Sequence, residues 1–572
     1  MSGAATGIAV SPHVSKVFDE KEKLEFDEES NNGIVARVSD KYIHHLPLQV
    51  FRQYADIQRK YELEEDYDTL YEVQTAQIAN DPHCNLSPEK LESQRLLRLA
   101  KAYSVFFLIT TDILGPMNAP YAVAQMGWVP GVILYVLFGV FAALGGYLLN
   151  YCYLKLDSNN YPVRTFADLA SRCVAPWFRY PFAFLHFAQM ILNCGTLLLT
   201  TAQSVSQMQV TNTGINHLCF TVGILVWGLA AMVVGQLRQL SKFAHLANMA
   251  VWMNITVVIV TMVGAAKSGP VYSLFKQYGM GPPYFAANSF DPLPVTHSII
   301  ASGTLSDRIS GMNNMVFAWG GATVFCEIMA ELKRPMDFWK GMLCAQSLIL
   351  GVYLTFGLFV YSKLGQFSYV QANMSVSEVS LQNVGNVLNI ISGMLAAILY
   401  GNIGIKVVYQ GFLVPEFGFP KLTTKPGIVA WGIFCVIFWA LAYILGTAIP
   451  SISVLVSIIG AFCIFNFSYT FPFLFIFTLL WREDAGAADK FNPSTLEVVK
   501  GDSYRDMSRW KRAAFSGDWK RNMIKFNAFW LVLASLVTCG LCSYSAIEGA
   551  IAVYKTSQAG PFTCISPIPN TK

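Results

Sequence analysis

Charged residues are scarce in this chain, and that scarcity excludes an ordinary soluble protein. Only 13% of its 572 residues are charged, whereas 54% are hydrophobic and 14% are aromatic; soluble domains carry about 25% charged residues. The charge is also segregated. Residues 1–99 hold 18 acidic and 11 basic side chains, a balance of −7, which leaves +11 for the remainder of a chain whose total is +4. We therefore expect a soluble, acidic N-terminal region, 1–99, followed by a membrane domain.

Sequence motifs for catalysis and for ATP-driven transport are absent as well. The chain has no Gly-x-x-x-x-Gly-Lys-Ser/Thr loop for nucleotide phosphates, no Ser or Cys nucleophile motif, and no His/Cys/Asp cluster with the spacing of a metal site. Its twelve cysteines are mostly scattered singly through apolar segments, as small packing residues are. We predict that the protein is not an enzyme, uses no cofactor or metal, and does not bind nucleic acid.

The N-terminal region lacks the basic start and the long apolar core of a signal peptide. Acidic runs such as the one at 18–22 are typical of a largely disordered tail. Charges that alternate in sign between about 46 and 70 indicate a helix within it. A solvated regulatory or trafficking tail is one interpretation, and a segment that binds a specific partner is the other.

Eleven apolar windows follow residue 100, each long enough to cross a bilayer, which takes about 20 helical residues. They fall near 102–125, 130–154, 181–208, 216–236, 243–266, 312–331, 340–362, 384–408, 427–446, 450–481 and 526–554. Such continuous runs are typical of helices, because the strands of a membrane β-barrel alternate over about ten residues. In the tenth window, Pro450 or Pro472 indicates a bend. We predict an all-α polytopic membrane protein with eleven transmembrane helices, whose transmembrane domain covers 100–555.

Basic residues between the windows predict the orientation. If the N-terminus is cytoplasmic, the stretch from Arg482 to Lys525 alone places ten Lys and Arg inside, whereas all outside loops and the C-terminal tail, 556–572, together hold six. Cytoplasmic loops carry the excess of Lys and Arg, so we predict a cytoplasmic N-terminus and an extracytoplasmic C-terminal tail. The sequon at Asn373 is then an outside glycosylation candidate. Cys219 and Cys564, both near the outer face, are a candidate disulfide pair.

Two of the windows are interrupted at mid-depth. The first contains the carboxylate Asp112 just before the helix-breaking pair Gly115-Pro116, and the sixth contains Gly320-Gly321. A Pro inside a spanning helix removes a backbone hydrogen bond, and such a break persists only where the freed backbone faces protein or a water-filled cavity. The breaks lie five windows apart, so windows 1–5 and 6–10 would form inverted repeats. Paired interruptions at matching positions indicate a secondary-transporter binding site, whereas two ordinary kinks are the alternative.

The residues around both interruptions resemble the amino acid/auxin permease family. Segment 115–122, Gly-Pro-Met-Asn-Ala-Pro-Tyr-Ala, followed by Gly-Trp at 127–128, is similar to the family's first-span signature. Segment 317–321, Phe-Ala-Trp-Gly-Gly, leads into 327–335 and resembles the family's aromatic-x-Gly followed by E-x-K-x-P. Ile113 stands where the family often has the first Gly of Gly-x-Gly. The resemblance covers about 100–555 and is nearest to fungal sequences. It implies a LeuT-type 5+5 inverted-repeat bundle plus one extra helix, and proton-coupled amino acid symport.

The interrupted windows suit an amino acid zwitterion. If the helix restarts at Pro116, the next three N–H groups, 117–119, have no acceptor within the helix and lie at the positive end of its dipole, where a carboxylate binds. Carbonyls at the end of the preceding half-helix and near Trp319 suit the ammonium group. The candidate substrate-binding residues are Thr111, Gly115, Pro116, Met117, Asn118, Asn193, Phe317, Trp319, Gly320 and Gly321.

Several of these residues have a structural alternative. Phe317 and Trp319 either line the substrate or pack against lipid and core. The third window carries a polar stripe at helical spacing: His186, Gln189, Asn193 and Thr196. The stripe either lines the pocket or makes hydrogen bonds between helices. His186 is either a packing residue or a proton relay.

Asp112 is the first candidate for proton coupling, and Glu327 is the second. Burial in an apolar environment favours the neutral form of a carboxyl group, so either residue can take up a proton and carry it with the substrate. The alternative for Asp112 is that it caps its half-helix or pairs with a base such as Lys406.

The expected function is secondary active symport of neutral amino acids with protons, sodium being the less favoured ion. The plasma membrane is the expected location and the vacuolar membrane the alternative. Two other functions remain open: a nutrient receptor that keeps the transporter fold and signals through its N-terminal tail, and a permease for another small solute such as a nucleobase.

Overall fold

The computed structural model describes residues 24–25, 37–38, 45–63, 102–113, 115–236, 244–420, 422, 424–492, 497–556 and 560–570. Within these ranges the chain is mostly helical. The α-helices are α1 (Leu48–Glu62), α2 (Ala102–Ile113), α3 (Ala119–Met126), α4 (Trp128–Leu156), α5 (Phe166–Cys173), α6 (Arg179–Thr213), α7 (Phe220–Val234), α8 (Ala244–Lys267), α9 (Leu305–Phe317), α10 (Phe325–Glu331), α11 (Phe338–Leu364), α12 (Val379–Val408), α13 (Val414–Phe417), α14 (Lys425–Ala448), α15 (Ile452–Ile458), α16 (Phe471–Ala485), α17 (Met507–Phe515) and α18 (Trp519–Thr556). The strands of the described ranges form two small antiparallel pairs. Strand β1 (Leu24–Glu25) pairs with β2 (Arg37–Val38), and β3 (Lys490–Asn492) pairs with β4 (Glu497–Val499).

Eight helical segments in the described ranges are long and apolar enough to cross a membrane. They are Trp128–Leu156, Pro176–Thr213, Met249–Lys267, Pro335–Phe367, Val379–Leu413, Lys425–Ala448, Ile452–Ala488 and Trp519–Lys555. The chain is therefore an integral, multi-pass membrane protein. Each of the eleven predicted windows lies on helix: eight on these segments, one on the shorter apolar helix α7, and two on the split pairs α2/α3 and α9/α10.

Helix α6 and the segment Ile452–Ala488 form the interior of the bundle. Their most apolar stretches are 67% and 78% buried, whereas that of Trp519–Lys555 is only 22% buried. Helix α6 packs along α12, α14 and α7, and it also contacts α15. A spanning helix that is mostly exposed faces lipid, so α18 lies at the periphery and α6 at the centre.

The tenth window is irregular just before one of its two prolines. Between α15 and α16 the backbone forms π-helical segments, Ile459–Ile464 and Asn466–Thr470, and the second ends immediately before α16 and Pro472. Proline lacks an N–H and its ring clashes with the carbonyl one turn earlier, which explains an irregular turn at this place. Pro450 lies before α15 begins and bends no helix.

Helix α1 is docked on the end of the bundle formed by the C-terminal end of α4 and the segment that follows it. Phe51 is 1% exposed, its ring stands edge-on to Tyr161 at 5.8 Å between centroids, and the Arg172 guanidinium lies 4.4 Å above it. Arg59 Nη2 lies 3.2 Å from Asp157 Oδ2. The helix predicted between about 46 and 70 is thus present from Leu48 to Glu62, and residues 64–100 lie outside the described residues.

Near the C-terminal end of α6, the C-terminal tail is bonded to the start of α7. Cys219 and Cys564 form a disulfide, which was a candidate pair from the sequence. The Phe220 N–H donates to the Cys564 carbonyl at 3.2 Å, and the Asn216 N–H donates to Asn570 Oδ1 at 2.9 Å. The segment 560–570 is therefore a folded part of this end of the protein.

The sequon at Asn373 is not accessible in this fold. Asn373 is 1% exposed, and its amide nitrogen, the atom that would carry a glycan, donates to Asn386 Oδ1 at 2.7 Å. Ser375 is fully buried and accepts a hydrogen bond from the Tyr369 N–H. The folded structure thus conflicts with the prediction of a glycan at this position, because the segment Ala372–Ser375 packs inward against α12.

We predict that Phe51→Ala releases α1 from the bundle. Truncating a fully buried Phe costs about 3–5 kcal/mol, and Phe51 is the largest of the apolar side chains that α1 buries, the others being Leu48, Val50 and Ala55. Trypsin should then cleave nanodisc-embedded protein within α1 at least tenfold faster than it cleaves the wild type. Ile57→Ala, at a position of the same helix that is 56% exposed, is the control and should leave the rate unchanged. Equal cleavage of Phe51→Ala and wild type would show that Phe51 does not hold the helix.

Candidate functional site

The first window is broken where its sequence predicts. Helix α2 ends at Ile113, Gly115 has a non-helical backbone (φ −138°, ψ 67°), and a short 3₁₀ turn, Pro116–Asn118, leads into α3. Gly115 is exposed, and a Cβ built on it would meet nothing within 4 Å, whereas Pro116, Met117 and Asn118 are buried. The break therefore borders open space on one side and packed protein on the other.

The sixth window is broken at the corresponding position. Helix α9 ends at Phe317, Trp319 leaves the helical conformation (φ −112°, ψ 27°), and a 3₁₀ segment, Gly320–Val324, precedes α10. A Cβ on Gly320 would lie 2.8 Å from Ile464 Cδ1. The absence of a side chain at Gly320 thus permits the close approach of the π-helical segment Ile459–Ile464. Gly321 beside it is buried.

The two breaks lie next to each other. Asn118, at the start of the restarted first helix, donates from Nδ2 to the Asn314 carbonyl at 3.1 Å, and Asn314 is one turn before the end of α9. At the other end of α3, the Ala301 N–H donates to the Met126 carbonyl at 3.0 Å. Helices α3 and α9 are therefore antiparallel neighbours with both breaks at the same end of the pair.

The restarted helix presents backbone donors at the first break. The N–H groups of Met117 and Asn118 belong to its first turn, where an intrahelical acceptor does not exist. The positive end of the helix dipole lies there as well, so this turn favours an anion. The Ala119 N–H, which the sequence placed among the free donors, instead bonds to the Pro116 carbonyl. Two amides, rather than three, are available for a carboxylate.

Backbone acceptors face the second break. The Trp319 carbonyl accepts a hydrogen bond from Ser468 Oγ at 3.0 Å, and the Gly320 carbonyl accepts one from Thr323 Oγ1 at 3.3 Å. Each carbonyl oxygen has two lone pairs, and both carbonyls also accept the backbone bonds of the 3₁₀ segment Gly320–Val324, so an ammonium group at this place would share them with donors already present. At the first break, the Thr110 side chain does not use the Thr110 carbonyl, because Thr110 Oγ1 donates to the Phe106 carbonyl of the same helix.

The residues of the polar stripe of α6 have different hydrogen-bond partners. Gln189 Oε1 accepts a hydrogen bond from Thr323 Oγ1 at 3.1 Å, which joins α6 to the broken sixth window. Thr196 Oγ1 turns back to the Leu192 carbonyl of its own helix at 2.9 Å. Asn193 is buried, and its Oδ1 has no hydrogen-bond partner among the described residues.

Three polar atoms on elements around the breaks are buried without a partner in the described part of the chain. They are Asn118 Oδ1, Asn193 Oδ1 and Trp319 Nε1. Leaving a buried polar group unsatisfied costs about 1–3 kcal/mol, so such groups in native proteins normally bind water or a ligand. Water or a polar ligand can therefore bind to these atoms.

The ring of Trp319 packs between helices. Trp319 is buried, and a Cβ built on Gly139 of α4 would lie 2.8 Å from Trp319 Cζ2. This contact is of the packing kind, and a contact of the Trp319 ring with substrate stays a prediction. Phe317 is only half-buried.

A second polar cluster lies just beyond the break, on α10. Glu327 Oε1 is 3.8 Å from His186 Nδ1 of α6, and both side chains are buried. The Phe166 N–H, at the start of α5, points to the same carboxylate oxygen at 3.4 Å. Phe467 lies 5.7 Å from the His186 ring and 4.8 Å from the Phe166 ring, centroid to centroid. The carboxylate and the imidazole are thus buried together with aromatic neighbours.

Two of the predicted site residues cannot be placed fully. Thr111 and Asp112 belong to the helix α2, but their side chains lie outside the described residues. The predicted substrate contact of Thr111, the coupling role of Asp112 and its alternative pairing with Lys406 therefore remain predictions.

The π-helical segments are part of the site that sequence reasoning missed. Through Ile464 and Ser468 they contact the backbone of the second break. Single-turn π-bulges are frequent at functional sites. The polar residues Asn466, Ser468 and Thr470 inside an apolar window were the signal that this stretch faces protein rather than lipid.

An all-helical, multi-pass protein with two adjacent broken helices has the architecture of a membrane transporter. Residues 99–500 match the family described as "Transmembrane amino acid transporter protein", and the chain belongs to this family. The similarity anticipated from the residues around the breaks is thereby confirmed.

Named relatives agree with this assignment. The chain is 24% identical to an N amino acid transport system protein of Neurospora crassa, over 68% of this chain and 78% of that protein. It is 22% identical to a transmembrane transporter of Fusarium pseudograminearum, over 67% and 74% of the two chains. It is 23% identical to the amino acid transporter AVT3C of Arabidopsis thaliana, over 46% and 60%.

We predict that Gly139→Ala displaces the Trp319 ring and destabilises the protein. The added methyl group would lie 2.8 Å from the ring, and overpacking of this kind costs about 1–3 kcal/mol. The midpoint of thermal denaturation of the detergent-purified protein should fall by several degrees. Gly351→Ala, where a Cβ meets nothing within 4 Å, is the matched control. An unchanged midpoint in Gly139→Ala would mean that the ring does not pack there.

Proposed function

We propose that this protein is a secondary active transporter that carries neutral amino acids together with protons by alternating access. The observation that supports this most is the meeting of the two broken helices at Asn118 and Asn314. It supports the proposal because it brings the first turn of α3 next to the end of α9, so that backbone donors and acceptors of the two breaks can act on one substrate. Membership of an amino acid transporter family gives the substrate class.

The substrate is proposed to bind as a zwitterion across the two breaks. Its carboxylate accepts hydrogen bonds from the N–H groups of Met117 and Asn118, at the positive end of the helix dipole. Its ammonium group donates to Asn193 Oδ1, which has no other partner in the described ranges, and shares the Trp319 and Gly320 carbonyls with the donors that already bind them.

Preference for neutral amino acids follows from the uncharged surroundings proposed for the site. The described side chains assigned to it, those of Met117, Asn118, Asn193 and Phe317, carry no charge. A substrate with a charged side chain would need a counter-ion to offset its desolvation. Exposed Gly115, with open space beside it, leaves room for the substrate to reach the backbone.

The transmembrane arrangement is proposed to be a LeuT-type 5+5 inverted repeat followed by one further helix, with all eleven windows crossing the membrane. The N-terminus is proposed to be cytoplasmic and the C-terminus outside, at the plasma membrane. The disulfide between Cys219 and Cys564 supports this orientation, because disulfides persist in oxidising compartments. Basic loops at the opposite end support it as well.

Proton coupling is proposed to use Asp112 and Glu327. For Glu327 the support is geometric: a buried carboxylate lies 3.8 Å from a buried imidazole, and burial favours the neutral form of a carboxyl group, so one proton can be held between the two groups. A membrane potential contributes about 2.3 kcal/mol per charge per 100 mV, and one pH unit contributes about 1.4 kcal/mol. One proton can therefore concentrate a neutral amino acid more than about a hundredfold.

Uptake into proteoliposomes tests the proposed function. Purified protein is reconstituted without sodium, a pH gradient is imposed with the acidic side outside, and a mixed pool of labelled amino acids is offered. Neutral amino acids should accumulate, and a protonophore should abolish the accumulation. Accumulation that requires a sodium gradient would contradict proton coupling. Competition by nucleobases but not by amino acids would point to another solute, and binding without uptake would point to a receptor.

We predict that Asp112→Asn abolishes acid-stimulated uptake while the protein stays folded and at the cell surface. The amide keeps the shape of the side chain but cannot gain or lose a proton. Uptake is measured between pH 5 and pH 8 with surface expression quantified in parallel. Normal accumulation and normal pH dependence in this variant would remove Asp112 from the coupling mechanism.

We predict that Glu327→Gln abolishes accumulation driven by the pH gradient while exchange of internal for external amino acid continues. Exchange needs the substrate site but no net proton movement, so the two assays separate coupling from folding. Glu331→Gln, one turn further along α10, is the matched control and should accumulate amino acid normally. Full pH-driven accumulation by Glu327→Gln would leave Asp112 as the only proposed proton site.

A further inference from the structure

The helix α17 exposes large apolar side chains on one face. Its opposite face, with Arg509 and Ala513 at an interval of four residues, is buried against the bundle. Met507, Lys511 and Phe515, which are also four residues apart, lie on the outward face. Trp510 lies beside them. All four of these side chains are exposed, Phe515 by 77%. The outward face of α17 thus has the composition of an amphipathic membrane-surface helix.

An ion-pair network fixes the direction of this face. Arg509 bonds through Nη2 to Asp489 Oδ2 at 2.8 Å and through Nη1 to Asp502 Oδ1 at 3.0 Å, while Arg512 Nη2 lies 2.7 Å from Asp502 Oδ2. The hydrogen bonds from Arg512 hold the pKa of the Asp502 carboxyl below its usual value. The network is therefore intact above about pH 4 and weakens as the pH falls through the lowered pKa. At physiological pH the apolar face is held outward.

The apolar face continues into the lipid-facing side of the last span. Only residues 516–518 separate α17 from α18. Trp519, 78% exposed, begins a stripe of exposed side chains on α18 that continues through Met523, Phe526 and Trp530 at helical intervals of four, three and four. Helix α18 is long and apolar enough to cross a membrane, and the Trp side chains near its start are of the kind that concentrates at the boundary of the bilayer.

We propose that the outward face of α17 is a lipid-binding surface that lies in the headgroup region of the bilayer and prefers anionic phospholipids. Met507, Trp510 and Phe515 enter the boundary between headgroups and acyl chains. Lys511, in the middle of this face, and Lys520, exposed in the first turn of α18, contact the phosphate and carboxylate groups of anionic lipids. Continuity with the exposed stripe of α18 is the reason for choosing the bilayer over a second protein as the occupant.

Photo-crosslinking tests this surface directly. The Phe515→p-benzoylphenylalanine variant is reconstituted in nanodiscs of phosphatidylcholine containing 20% phosphatidylserine and irradiated. The mass of the intact protein is then measured by mass spectrometry. We expect adducts of one phospholipid, with phosphatidylserine captured at least twofold above its share of the lipid. Val499→p-benzoylphenylalanine, on β4 of the same loop and 67% exposed, is the matched control and should capture little lipid.

Each other outcome counts against the proposal. Protein–protein adducts at position 515 would assign the face to a second copy, and capture of lipid at 499 equal to that at 515 would remove its specificity. Absence of lipid adducts at 515 would show that the face is not at the bilayer. The second variant, Lys511→Gln combined with the probe at 515, should still capture lipid but lose the enrichment of phosphatidylserine. Enrichment that persists in that variant would contradict the role of Lys511.

Discussion

A backbone N–H or C=O group inside a membrane has no water to bond, so every break in a spanning helix must be satisfied by protein or by what the protein binds. This constraint governs the centre of the molecule. The break after α9 is partly satisfied by Ser468 and Thr323, and the restarted first helix is anchored through Asn118 to Asn314. What remains unsatisfied, two first-turn amides and several buried polar atoms, matches the needs of an amino acid zwitterion.

The rest of the bundle serves to hold these breaks in place. Helix α6 occupies the centre and reaches both the second break, through Gln189, and the carboxylate of Glu327, through His186. At one end of α6 the docked helix α1 covers the segment after α4, and at the other end a disulfide ties the C-terminal tail to α7. The proposed proton site and the proposed substrate site therefore contact the same helix, which is the simplest physical basis for coupling between them.

Local features of the sequence predicted a large part of this architecture. Hydropathy located the helices because a spanning segment must be apolar over its whole length, and Gly115-Pro116 located a break because proline removes a backbone donor. Features that depend on contacts between distant segments were not readable. The pairing of His186 with Glu327 and the packing of Trp319 on Gly139 arise from how helices meet. The sequon at Asn373 is a local pattern, and the inward packing of its loop overrides it.

The most direct test of the account is a cryo-electron microscopy map of the protein in lipid nanodiscs with a transported neutral amino acid bound. The account predicts density for the amino acid between the two breaks, with its carboxylate about 3 Å from the N–H groups of Met117 and Asn118 and its ammonium group at the Trp319 and Gly320 carbonyls. An amino acid bound elsewhere, or a first span that runs as a continuous helix through Gly115, would contradict it.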